Sequence, residues 1–310
     1  MDTLPLKRDL TLAYRTSLLT ALLVVVVSAA GLAWKSTSLY GVDPDRSLGV
    51  SASTAGVLVP GFLVQDMFNL VAGLPMLVGA LWLARRGSLI GLLLWPGALF
   101  YLAYTYVHYL VGAPFGPLFL GYVAIVALSA WTTIGLVASI HGDVVRQRVT
   151  GAVRPRFVGG VLVGLALLTV GQDAGGAVAT ALAGGAPIDP LARGVWIADL
   201  TLGVPAMLIV GGLLWRRASL GYVAAAGLLL SFGMTSVVIA AMLALQPVLT
   251  GAPIDGATVI GLLLFGGISL TPIALFARGT AIRPVRAETS AVRAGLSRGE
   301  DRAMKRTGAR

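Results

Sequence analysis

Two stretches of the chain repeat one pattern. Residues 69–89 read NLVAGLPMLVGALWLARRGSL, and residues 199–220 read DLTLGVPAMLIVGGLLWRRASL. Each stretch places a polar side chain, a glycine and a proline in one apolar segment that ends on a double arginine. An apolar segment of this length predicts a helix that crosses a bilayer, with the arginines at its cytoplasmic boundary. Because the pattern occurs twice in the same order, it predicts an internal duplication.

The composition of the chain fits only a polytopic membrane protein. Hydrophobic residues make up 57% of the chain and charged residues 12%, whereas soluble domains contain about 25% charged residues. The net charge is +10, but Lys and Arg are concentrated in short loops and in the terminal segments. This pattern indicates the positive-inside rule and contact with anionic lipid at the cytoplasmic face, and no nucleic-acid partner. The lack of cysteine excludes thiolate catalysis and disulfide exchange.

Eight apolar segments are long enough to span a membrane: residues 16–34, 58–84, 88–111, 118–140, 157–173, 195–215, 219–245 and 257–277. Residues 174–185 either extend the fifth span or form an outer hairpin. An even number of spans places both termini on one side. If that side is cytoplasmic, every basic residue except Lys35, Arg46 and Arg193 lies inside. The sequence therefore predicts a multi-pass protein of the inner (plasma) membrane with cytoplasmic termini.

The predicted fold class is an all-α integral membrane protein with eight transmembrane helices in two parallel four-helix repeats. The first repeat covers residues 1–150, the second covers 151–280, and residues 281–310 form a basic, disordered cytoplasmic tail. Repeats of this kind, related by an axis along the membrane normal, occur in some transporters. Four tryptophans near the predicted membrane boundaries are interpreted as interfacial anchors: Trp34, Trp82, Trp196 and Trp215.

Polar side chains inside the predicted spans provide the only candidate site, because such groups are costly in hydrocarbon and usually face the protein interior. A helical rise of about 1.5 Å per residue places Asp66, Asn69, His108 and Asp199 in the outer third of the membrane, with Tyr101 and Tyr104 somewhat deeper. The candidate ligand-binding residues are Asp66, Asn69, Tyr101, Tyr104, His108 and Asp199. Asn69 takes the place of Asp199 in the duplicated pattern, so the predicted site is asymmetric.

Two interpretations of these polar residues remain open. They either bond to neighbouring helices and wet headgroups, or they line an outward-open pocket for a solute, a cation or a proton. Pro75 and Pro205 predict kinks just below the polar cluster, acting as hinges or as static packing features.

Three functions follow from these interpretations. The first is binding or transport of a small solute or ion through the pocket between the repeats, with protonation of an aspartate as the coupling step. The second is a non-catalytic scaffold or accessory subunit that packs against a partner in the bilayer. The third, an intramembrane enzyme acting on a lipid-linked substrate, ranks last because the chain has no nucleophile or metal motif. No cofactor is predicted, since His108 and His141 lie at different depths and cannot form a haem pair.

Overall fold

The computed structural model describes residues 4–35, 37–43, 52–112, 115–182, 184, 190–251 and 253–281. These residues form helices and turns, with two isolated β-bridges and no strand in the part described. The α-helices of this part are α1 Thr11–Trp34, α2 Ala52–Phe68, α3 Leu74–Arg85, α4 Leu89–Gly112, α5 Phe119–Ser139, α6 Gly142–Val149, α7 Pro155–Leu182, α8 Pro190–Ala198, α9 Val204–Trp215, α10 Ser219–Thr250, α11 Gly256–Leu270 and α12 Ile273–Ala281.

Eight helical segments of the described chain are long and apolar enough to cross a membrane, as a multi-pass membrane protein requires. They are Thr11–Trp34, Leu58–Arg85, Leu89–Gly112, Phe119–Ser139, Pro155–Leu182, Arg193–Trp215, Ser219–Leu245 and Gly256–Ala281. The fifth segment continues to Leu182, so residues 174–182 extend the span. Helix α6 lies between the fourth and fifth spans, where the sequence predicts a loop. The predicted tail beyond residue 281 lies outside the described residues.

The basic loops gather at one end of the helical bundle. Three contacts join them: the backbone bridge between Leu6 and Ile140, the Arg85 guanidinium 4.9 Å from the centre of the Tyr14 ring, and the 3.2 Å hydrogen bond from Arg146 Nη1 to the Arg217 carbonyl oxygen. We call this the arginine end. The opposite end, where α4 finishes and α11 begins, is the far end. Helices α4 and α10 both start at the arginine end and therefore run in parallel.

A single π-helical turn interrupts each of the two quoted stretches. These turns are Asn69–Gly73 and, 130 residues further along the chain, Asp199–Gly203. Each turn closes with a backbone hydrogen bond to the carbonyl of its first residue, donated by Leu74 in one stretch and Val204 in the other. The next residue in each stretch is the proline. Because a proline ring lacks an N–H and crowds the carbonyl four residues earlier, the widened turn relieves that clash and marks where each helix is irregular.

The two double-arginine turns match bond for bond at the same 130-residue spacing. The first turn contains the backbone N–H to oxygen bonds Arg86 to Trp82, Gly87 to Ala84 and Ser88 to Leu83, and the second contains Arg216 to Gly212, Arg217 to Leu214 and Ala218 to Leu213. Gly87 and Arg217 both have left-handed backbone, with φ of 79° and 54°. In the structure Arg86 therefore corresponds to Arg216. An alignment that matched the two double arginines would instead match Arg86 with Arg217.

Helices α4 and α10 pack directly against each other at the centre of the bundle. A Cβ atom on Gly97 would overlap the Gly227 backbone, and a Cβ atom on Gly227 would lie 2.8 Å from the Gly97 nitrogen. Only glycine allows two helices to approach this closely. Gly97 and Gly227 are also separated by 130 residues, so each contacts the residue at the matching position of the other helix.

Candidate functional site

A cavity of about 490 Å³ lies between the two halves of the chain, in the half of the bundle nearer the far end. Gly112, Gly194 and Thr258 border it at helix ends opposite the double-arginine turns. Its main polar side chains are Tyr101, Tyr104, His108, Gln172, Asp173 and Asp199. Its main aromatic walls are Phe62, Trp196, Phe232 and Phe265. Pockets of 300 to 1,000 Å³ with apolar walls and a few convergent polar groups are typical of small-molecule sites.

Tyr104 and Asp199 join the two halves of the chain inside this cavity. The Tyr104 hydroxyl donates a hydrogen bond to Asp199 Oδ1. Tyr104 is 2% exposed and comes from α4, whereas Asp199 is half-buried and opens the second π turn. The irregular turn at Asp199–Gly203 thus carries the carboxylate at the centre of the site.

A second carboxyl group lies against the first. Asp173 of α7 lines the same cavity as Asp199, and the two carboxyl groups are close enough to interact. It is 4% exposed, and its Oδ2 atom accepts no hydrogen bond. A buried polar atom without a partner is unusual in proteins, and this one belongs to a residue that borders the cavity.

His108 supplies a polar group with no partner of its own. Its Nε2 atom is buried without a hydrogen bond, and its ring lies edge-on to Tyr104 with 4.8 Å between ring centres. An imidazole nitrogen either donates or accepts a hydrogen bond, depending on its tautomer. His108 can therefore contact the polar group of a bound molecule.

Aromatic rings lie beside the Asp199 carboxyl group. Phe232 lies edge-on to Tyr104, with 5.7 Å between ring centres and an interplanar angle of 72°. A Cβ atom on Gly203 would lie 3.1 Å from Asp199 Oδ1 and 3.2 Å from the Phe232 ring. Glycine at position 203 therefore leaves room for the carboxylate beside the ring.

Asp66 is held in a separate cage of hydroxyl groups and does not border the cavity. The carboxylate is completely buried and accepts hydrogen bonds from Ser28 Oγ at 3.0 Å, Tyr40 OH at 2.6 Å and Tyr109 OH at 2.9 Å. Burial raises the pKa of the Tyr40 phenol, which lies in the loop after α1, so this hydroxyl stays protonated and donates. Tyr109, which bonds to Asp66, borders the cavity, whereas Asp66 does not.

Asn69 also lies behind the cavity wall. It is completely buried, and its Oδ1 atom accepts a 3.2 Å hydrogen bond from Gln65 Nε2. Gln65 itself borders the cavity. Asn69 therefore contacts the site through Gln65.

The structure divides the candidate residues into two groups. Tyr101, Tyr104, His108 and Asp199 line one cavity, whereas Asp66 and Asn69 stand behind its wall. Asp173 and Trp196 also line the cavity and were missed by the sequence reasoning. The apolar sequence continues to residue 182, and this could have indicated that Asp173 lies inside a helix and not at its end. Trp196 matched an interfacial anchor in the sequence, but here it packs over Gly176, where a Cβ would lie 3.0 Å from the indole ring.

The electrostatic character of the cavity is acidic. None of the described residues that line it is Lys or Arg. Arg193 precedes the lining residue Gly194 but is exposed. Within the described chain, no group of three or more His, Cys, Asp or Glu side chains is arranged to hold a metal ion.

Comparison with known protein families, curated proteins and solved structures gives no match to this chain. The fold and the site define a multi-pass helical membrane protein with a polar cavity inside its helical bundle.

Proposed function

We propose that the protein binds and transports a small solute or ion through an outward-facing polar cavity between two repeats. One observation carries this proposal: in a cavity of about 490 Å³, Tyr104 and His108 of the first half meet Asp199 of the second. Polar groups within the membrane-spanning part of a protein are costly and commonly mark solute pathways. Sites at the interface between repeats are typical of transporters.

Four features support the proposed duplication, with repeats at residues 1–150 and 151–280. The π turns, the hydrogen bonds of the double-arginine turns and the left-handed residues all recur 130 residues apart. Gly97 also contacts Gly227, its own counterpart. Contact between equivalent residues is what a twofold axis produces. Because both copies run in the same direction, that axis would lie along the membrane normal.

The arginine end is proposed to face the cytoplasm, with both termini and the basic segment 281–310 on that side. Lys and Arg flanking membrane spans are retained in the cytoplasm, and a basic surface there would attract anionic lipid. The cavity borders the far end, so it would open towards the outside. The corresponding localisation is the inner (plasma) membrane.

Asp199 is the proposed coupling residue. It faces the Tyr104 hydroxyl from α4 and the Asp173 carboxyl from α7, and His108 lies behind the Tyr104 ring. Gain or loss of one proton by the carboxyl pair would change the charge seen by a bound solute. Asp199 also begins a π turn, so a one-residue change in the helical hydrogen-bonding pattern there would redirect its side chain.

The remaining candidate residues take supporting roles in this proposal. Tyr101 lines the cavity and Asn69 acts through Gln65. Asp66 acts through Tyr109, whose hydroxyl it fixes. These three residues would keep the cavity wall that is formed by the first half of the chain in place while Asp199 gains or loses a proton.

The test is reconstitution into liposomes with a panel of small solutes and an imposed pH gradient. Wild-type protein should move at least one solute in response to the gradient, and Asp199→Asn should move it at least tenfold more slowly. Asp143→Asn is the matched control, because Asp143 is an exposed carboxylate of α6 paired with Arg146. Identical binding and flux in wild type and Asp199→Asn would contradict the proposal.

A scaffold is the second candidate function, and one surface favours it. Gly160, Gly164, Gly171 and Gly175 fall on one face of α7, and a Cβ atom on any of them would meet nothing within 4 Å. Small residues at this spacing allow close helix association in membranes. Gly164→Leu would disrupt such association without reaching the cavity. Loss of transport in Asp199→Asn together with unchanged transport in Gly164→Leu would reject the scaffold.

A further inference from the structure

We propose that the cavity takes a small organic cation, an amine that is protonated at neutral pH. The carboxyl pair of Asp173 and Asp199 would hold the ammonium group, and the aromatic wall would cover it. This inference rests on the proposed function, because it names the class of solute for the same cavity.

The first support is the uncompensated acidity of the site. Asp173 and Asp199 line one cavity, and no described lining residue carries a permanent positive charge. An ammonium group offers up to three hydrogen-bond donors and no acceptor. Asp173 Oδ2 is a buried acceptor that has no donor. A protonated amine supplies both the missing donor and the missing charge, whereas an anion would supply neither.

The second support is the chemistry of the walls. Tyr104 and Phe232 stand edge-on to each other beside Asp199, and Trp196 borders the same space. The faces of aromatic rings attract cations, and clusters of such rings are a recurring device for binding ammonium groups. Rings and carboxylates together favour an organic cation over a neutral sugar, which would require many hydrogen-bonding groups.

The third support concerns metal ions. Zinc sites in proteins are built from three or four ligating side chains, and the described chain has no group of three His, Cys, Asp or Glu arranged to hold a metal ion. A cavity of about 490 Å³ is also in the range for an organic molecule. The free Nε2 atom of His108 would contact a second polar group on that molecule, such as a hydroxyl.

The test compares three probes of similar shape and different charge: 2-phenylethylammonium, the neutral 2-phenylethanol and the anion 3-phenylpropanoate. Each is titrated calorimetrically into the purified full-length protein. We expect the dissociation constant of the cation to be at least tenfold lower than that of the alcohol, with no binding of the anion. Asp173→Asn and Asp199→Asn should each remove the preference for the cation, and Asp143→Asn should retain it.

Equal or tighter binding of the alcohol or the anion would overturn the inference, and so would no binding of any probe. The comparison of probes on wild-type protein does not depend on any variant folding correctly. The proposed function has its own readout in the liposome assay. If a neutral or anionic solute is transported there and Asp199→Asn slows it, the cation inference fails and the proposed function stands.

Discussion

The Tyr104 hydroxyl donates its hydrogen bond to Asp199, 95 residues away in the chain, and this bond ties α4 to the second π turn. The bond lies inside the cavity, so the same contact serves stability and site geometry. Asp199 Oδ1 is occupied by Tyr104, and Asp173 adds a second carboxyl group beside it. A bound cation would therefore meet two carboxyl groups held in place from α4 and α7.

A double-mutant cycle measures the energy of this bond. Tyr104→Phe and Asp199→Asn should be coupled by about 0.5 to 2 kcal/mol in the free energy of unfolding, the range seen for hydrogen bonds between membrane helices. The measurement is reversible unfolding in mixed micelles. Tyr104→Phe combined with Asp143→Asn provides the reference, because those two residues share no contact and their effects should add. Additive effects in the first pair would refute the bond.

The hydroxyl cage of Asp66 should matter for stability. Asp66→Asn should lower the free energy of unfolding by about 2 to 4 kcal/mol, because an amide N–H would face hydroxyl donors that now bond a carboxylate. The exposed Asp143→Asn change should stay within about 0.5 kcal/mol of wild type. If Asp66→Asn lowers the free energy of unfolding no more than the control does, the three hydroxyl groups do not stabilise the Asp66 carboxylate.

The contact between α4 and α10 should not tolerate one added methyl group. Gly97→Ala should cost about 1 to 3 kcal/mol of unfolding free energy or prevent folding, because its Cβ would overlap the Gly227 backbone. Gly135→Ala is the matched control, since a Cβ there meets nothing within 4 Å. It should be neutral or stabilising by up to about 1 kcal/mol, because alanine is the better helix former. Equal effects of both changes would contradict the close approach.

Asp255 should make the start of α11 sensitive to acid. Its carboxylate caps the helix by accepting a 3.2 Å hydrogen bond from the Thr258 N–H, and its hydrogen bonds to Thr258 lower its pKa. A lowered pKa in the folded state gives stability that is present above the unfolded value of about 3.9 and is lost as the pH falls through the folded value. Amide exchange at Thr258, corrected for the intrinsic pH effect, should therefore speed up below about pH 4. Asp255→Asn should remove this increase in exchange rate at low pH. If the increase persists in Asp255→Asn, a group other than Asp255 causes it.

The sequence predicted the eight spans because apolar length alone determines them. Tyr101, Tyr104 and His108 line one cavity, because helical spacing puts them on one face of α4. The sequence could not predict that Asp66 is sealed off. Its partners Ser28 and Tyr40 come from α1 and the following loop, and such long-range contacts leave no local pattern.

Three further features were not predicted from the sequence, for physical reasons. The π turns add one residue to a helical turn, so regular helical spacing does not hold across Asn69–Gly73 and Asp199–Gly203. The sequence placed Asp173 at the end of a span, but α7 continues beyond it and buries Asp173 in the wall of the cavity. The one-residue shift between the arginine pairs also depends on the backbone, since Arg217 adopts the left-handed conformation that Gly87 adopts.

The central claim is that the cavity opens at the far end and admits a small solute. Because the chain has no cysteine, Ser236→Cys places its only thiol in the cavity wall, and Ser269→Cys places one between α10 and α11, where Ser269 bonds to the Leu229 carbonyl. The measurement is the rate of labelling by a small, membrane-impermeant methanethiosulfonate, applied separately to each side of oriented vesicles. We predict rapid labelling of Ser236→Cys from the far-end side only, with Ser269→Cys unreactive from both sides. Labelling of Ser236→Cys as slow as that of Ser269→Cys, or from the arginine end alone, would contradict the account.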